Sequence, residues 1–92
     1  MMLFKKKKKE ETITIGSEID DMLIKKLKRV LDNHNAVLLK HDNIIVGSQD
    51  ISTFDYKIGT ESIRITVETY VGVSITGEVA IINEIINDIN SL

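Results

Sequence analysis

The sequence predicts an α+β domain: a two-layer sandwich in which an antiparallel sheet of four to five strands carries two helices on one face, in the order βαββββα. Three observations lead there. Two segments repeat apolar residues at the 3.6 period of a helix, several shorter ones alternate with the period of two of a half-buried strand, and 92 residues suffice for one hydrophobic core only. Each helix would be apolar along a single stripe, so both need cover, and one sheet face is the economical cover for both.

The first strand is expected at Thr12-Ile13-Thr14-Ile15, with Ile13 and Ile15 on one face, and Gly16-Ser17 ends it. A helix over 18–33 follows. Ser17 is placed to cap it, Glu18, Asp20 and Asp21 put acids in its first turn, and Lys25, Lys26, Lys28 and Arg29 gather further along, as the helix dipole favours. Ile19, Leu23, Leu27, Val30 and Leu31 form its apolar stripe, with Met22 and Ile24 at the margins. Asn33-His34-Asn35 closes it, because Asn tolerates the left-handed conformation that commonly ends a helix.

The middle of the chain reads as strands joined by short turns. Ala36 to Lys40 and Asn43 to Val46 are expected to fold back about His41-Asp42, and Gly47 to Asp50 to turn the chain again. Ile51 to Ile58 and Ser62 to Val71 form the next hairpin. Folding about Gly59-Thr60-Glu61-Ser62 pairs Ile58 with Ile63, Tyr56 with Ile65 and Phe54 with Val67, so that the apolar sets, Val71 included, land together. The opposite, wetted face then carries Thr53, Asp55, Lys57, Arg64, Thr66, Glu68 and Tyr70, which make up the candidate interaction surface. A second helix is expected from Gly77 to Asn90, capped by Thr76, with Val79, Ile82, Ile86 and Ile89 on its stripe and Ile81 and Ile85 widening it. There is no proline, and all five glycines fall at predicted turns.

Composition narrows the function classes. With 42% apolar residues, 16 of the 92 being Ile, the chain is a folding sequence and not a disordered one. The absence of cysteine excludes a disulfide framework, a thiolate metal site and a cysteine nucleophile, and it fits the reducing cytoplasm. No apolar run approaches the roughly 18 residues that span a bilayer, so a soluble protein is expected.

Charge is placed unevenly. The formal net charge is −2, yet Lys5 to Lys9 are consecutive, which leaves 7 of the 12 basic residues to face 14 acids. Residues 1–10 read as a disordered basic leader and 11–92 as a single domain. An export signal would need roughly 7 to 15 apolar residues after the basic block, where Glu10, Glu11 and Thr12 stand instead. The lysines suit phosphate on anionic lipid or nucleic acid, but the acidic body behind them would repel the same groups.

The candidate chemical motifs fail one by one. Gly72-Val73-Ser74-Ile75-Thr76-Gly77-Glu78 has the glycine spacing of half a phosphate loop, but Glu78 stands where the phosphate-binding lysine belongs. A nucleophile elbow at Ser74 lacks its second glycine, since Thr76 occupies the place. The stretch is therefore expected to be a turn and helix cap. His34 and His41 lie near Asp32 and Asp42, but about 17 Å of extended strand would separate the two imidazoles, too far to share a metal. Asp55, Glu68 and Arg64 are the candidates for acid and base chemistry, on an open face without the desolvation that separates catalytic pKa values. Of the aromatics, Phe54 and Tyr56 are assigned to the core and only Tyr70 to the wetted face, too few for base stacking.

What remains is a small protein-binding or regulatory module, not an enzyme, without cofactor or metal. It would act through the open sheet face or an edge strand, as a homodimer or as a stoichiometric inhibitor or immunity-type protein that meets a basic partner with its acidic body. Two other classes stand beside it: a small enzyme whose site forms between subunits from Asp55, Glu68 and Arg64, and a phosphate-surface binder led by Lys5 to Lys9.

Overall fold

The computed structural model describes residues 9–92, and the expectations placed on residues 1–8, most of the basic leader among them, lie outside these described residues. The elements are β1 (Glu10–Gly16), α1 (Asp21–Asn33), β2 (Val37–Val46), β3 (Gln49–Ile58), β4 (Glu61–Glu68), β5 (Gly72–Glu78) and α2 (Val79–Asn90). The five strands form one antiparallel sheet in the order β1-β5-β4-β3-β2, with β1 and β2 at its edges. Both helices lie on one face, so the α+β sandwich and the order βαββββα hold. Lys9 and Glu10, expected outside the domain, are tied to it: Glu10 pairs with Glu78, and the carbonyl of Lys9 accepts a hydrogen bond from the Val79 amide at 3.1 Å.

Two strand assignments change, and their errors cancel in the count. His41-Asp42 is not a turn: β2 runs through it unbroken, and the chain reverses at Gly47-Ser48, where Gly47 takes the positive φ of 62° that a two-residue hairpin asks of its first residue. Gly72 to Glu78 is not a loop and cap but β5, paired on both sides and the most buried strand of the sheet. Gly77 is thus a strand residue, and α2 starts directly after the strand. Thr76 does not cap α2; Glu78 precedes the helix without a side-chain cap, and the Thr76 hydroxyl meets that of Thr12 at 2.8 Å.

Helix α1 starts three residues later than the sequence suggests. Asp20, not Ser17, is its cap, accepting from the Leu23 amide at 3.1 Å, while Ser17 Oγ accepts from the Ile19 amide in the preceding turn. Ile19 therefore drops off the stripe and is exposed. The far end closes as expected: Asn35 has φ 56°, its amide bonds to the Asp32 carbonyl, and the Ala36 amide reaches the Leu31 carbonyl, the six-to-one bond of a Schellman ending.

The β3–β4 turn takes two residues, not four, which shifts the expected register by two. Phe54 opposes Ile65, Tyr56 opposes Ile63, and Ile58 opposes Glu61. A slip of two preserves the faces, so the apolar sets still fall together. The core comprises Leu23, Leu27, Val30 and Leu31 of α1, Ile82, Ile85 and Ile89 of α2, Ile63 and Ile65 of β4, and Val73 and Ile75 of β5. On α2 the stripe is turned from the expected one, with Ile85 at its centre and Ile86 at its margin. Phe54, Tyr56 and Ile58 of β3 and Ile13 and Ile15 of β1 pack at the rim, half-buried; β2 contributes nothing to this core.

Candidate functional surface

Three surfaces follow from this layout: the open sheet face, a groove beside α1, and the β2 edge. On the open face the register aligns one row through Thr12, Thr76, Arg64, Asp55 and Lys40, and a second through Thr14, Ser74, Thr66, Thr53 and Asp42. Thr53, Asp55, Lys57, Arg64, Thr66 and Glu68 are thus on one face, as the sequence implies. Tyr70 is not among them: β4 ends at Glu68, and Thr69 to Val71 form a turn in which Tyr70 has φ 68°, an exposed ring and an amide that donates to Glu18 Oε1 at 3.1 Å. The same turn removes Val71 from the apolar set and leaves it exposed.

Asp55 and Arg64 face each other directly across β3 and β4. The guanidinium donates twice, from Nε to Oδ1 at 2.7 Å and from Nη2 to Oδ2 at 3.2 Å. These bonds hold the Asp55 carboxyl below the usual carboxylate range, and Asp55 holds the Arg64 guanidinium above its ordinary value. Glu68 does not join them. It accepts from Gln49 Nε2 at 3.0 Å, four residues along β4 from Arg64, or roughly 13 Å in an extended strand. The depression around the pair, about 420 Å³ and bordered by Glu10, Asp55, Ser62, Arg64 and Thr76, is shallow and open to water.

The histidines go separate ways. His34, at the end of α1, holds Asp88 of α2 through Nε2 to Oδ2 at 2.7 Å, a partner 54 residues distant that proximity in sequence to Asp32 could not reveal. His41 stacks on Phe54 with ring centroids 4.2 Å apart. Among the described residues no three His, Asp or Glu side chains gather as a metal site needs, and no helix is long and apolar enough to cross a membrane. Every buried side-chain nitrogen and oxygen among them has a hydrogen-bond partner.

On the helix side, α1 leaves β3 partly uncovered. A groove of about 300 Å³ runs between Ile24, Leu27, Lys28 and Leu31 of α1 and Phe54, Tyr56, Ile65 and Val67 of the sheet. Tyr56, at its wall, has its phenol pushed up by burial and then by the charge of Asp32.

Beyond β3, the whole of β2 is exposed. Val37, Leu38, Leu39, Ile44, Ile45 and Val46 are between 50% and 69% exposed and make up six of the eleven exposed large apolar side chains among the described residues. The opposite edge is protected differently: β1 carries Glu10 and Glu11 at its start and tucks Ile13 and Ile15 against the core. Sequence reasoning missed this concentration because it split β2 into a hairpin whose two arms would have shared the burden of cover. No family model matches the chain, and neither does any curated protein or solved structure in the comparisons made.

Proposed function

We propose that this chain is a protein-binding module without catalytic activity, and that it binds by accepting a strand along the open edge of β2. The observation that carries this reading is the ten-residue edge with all its residues exposed, apolar at both ends. An edge of that length offers a row of unpaired amides and carbonyls to an extended segment, and its apolar side chains reward the segment for docking. The open face supports the negative half. Its close charged pairs, Asp55 with Arg64 and Asp42 with Lys40, are satisfied internally, Glu68 accepts from Gln49, and the face encloses no volume from which water would be excluded.

The test is photo-crosslinking in the native host. A photoreactive amino acid in place of Ile45 is expected to give discrete protein adducts, while the same group in place of Asn83, exposed on α2, gives none. Equal labelling from both positions, or no adduct from position 45, contradicts the reading.

A further inference from the structure

The sequence of β2 is close to a palindrome in character, Val-Leu-Leu-Lys-His-Asp-Asn-Ile-Ile-Val, with three apolar residues at each end and four polar ones between. Read as a plain strand this symmetry would be useless. Val37 and Val46 are nine residues apart, and so are on opposite faces in a regular strand. The bulge between Leu38 and Lys40 changes that, because one extra residue reverses the alternation. Val37, Lys40, Asp42, Ile44 and Val46 all oppose open-face residues of β3, namely Lys57, Asp55, Thr53, Ile51 and Gln49. Leu38, His41, Asn43 and Ile45 point to the helix side.

Counting the bulge, Asp42 is the midpoint of the strand. From this we infer that the partner at the β2 edge is a second copy of this chain, paired antiparallel through β2 about a two-fold axis at Asp42, so that two five-stranded sheets become one of ten strands. The inference rests on the edge-binding reading above and names its occupant. About that axis Leu38 meets Ile45 of the second copy on the helix side and Val37 meets Val46 on the open side, and the symmetry repeats both contacts. His41 meets Asn43. The two Asp42 side chains face one another, each with Lys40 of its own strand at 3.3 Å.

This register uses the strand from end to end. Centring on His41 would place Leu38 against Asn43 and leave Ile45 and Val46 without a strand opposite them, whereas the Asp42 register matches apolar with apolar at all four outer positions. Its costs are the like-charged pair at the axis and Lys40 set against Ile44 of the second copy on the open side, repeated by the symmetry, which favour a reversible dimer over a permanent one. The polar centre also discourages indiscriminate stacking of edges.

Because the chain has no cysteine, single substitutions report the register directly. The full chain is expected to sediment as a concentration-dependent dimer. Asp42→Cys should form an intermolecular disulfide under mild oxidation, His41→Cys much less, and Leu38→Lys should weaken association at least about tenfold with the circular dichroism unchanged. Asp42→Asn should tighten it, since it removes the repulsion at the axis. Weakening by Asp42→Asn with preferred linkage through His41→Cys would overturn the register, and a dimer indifferent to Leu38→Lys would overturn the surface. A chain that stays monomeric at hundreds of micromolar sinks the inference; if position 45 still crosslinks a different protein, the edge-binding reading survives it, and if it crosslinks nothing, both fall.

Discussion

At Asp55 the open face shows how a single pair behaves when it is structural and exposed. Its carboxyl lies below the usual range in the folded chain, chiefly because Arg64 donates to it. The stabilisation is therefore fully present above the ordinary carboxylate pKa and is lost as pH falls through the lowered folded value. Arg64→Gln should leave stability nearly unchanged at acid pH and lower it slightly at neutral pH, flattening the acid limb of a denaturation-midpoint profile. Glycines give a sharper contrast. Gly72 has φ 118°, and a Cβ there would run into the carbonyl oxygen of Gly16 on β1, whereas a Cβ at Gly47 meets open space. Gly72→Ala is expected to cost about 3 kcal/mol by urea denaturation and Gly47→Ala about 1 kcal/mol, the latter from backbone conformation alone.

Among the elements, depth in the sheet decides what a side chain is for. Ile82 of α2 is fully buried and Ile44 of β2 is 59% exposed. Ile82→Ala should destabilise the chain by about 3 kcal/mol, and Ile44→Ala by less than about 0.5 kcal/mol when measured in dilute solution. The two helices were legible in the sequence because burial on one side imposes the 3.6 period, and the β3–β4 hairpin because its alternation is long. β5 was obscured by its flanking glycines, which read as a turn, although Val73-Ser74-Ile75-Thr76 carries the alternation of a strand with one wet face. β2 was obscured for the opposite reason: an edge with no core contact is under no pressure to alternate, so His41-Asp42 looked like a break. The outward edge of β2 is recognisable only once strand order is known, so the alternation of β3 and β4 was enough to put Thr53, Asp55, Lys57, Arg64, Thr66 and Glu68 on one face but not to show which surface the fold leaves most apolar. Tyr70 was misplaced because nothing in Val67 to Val71 announces that the strand stops at Glu68.

Taken whole, the molecule is lopsided. Its helices gather over β1, β5 and β4, its core stops at β3, and the last strand stands uncovered with most of the exposed apolar surface. Such a distribution is costly for a chain that remains alone and is resolved when a further strand arrives. Replacing Leu39 and Ile44 together with lysine is accordingly expected to raise the concentration at which the protein begins to associate or precipitate, as read by light scattering, while leaving the thermal midpoint in dilute solution within a few degrees. Amide hydrogen exchange, compared between dilute and concentrated solution, tests the edge most directly. The account predicts that amides within Val37–Val46 slow on concentration while those of the β1 edge, Glu10–Gly16, do not change. Slowing confined to β1 or to the helices, or β2 amides that exchange at the same rate throughout, would contradict it.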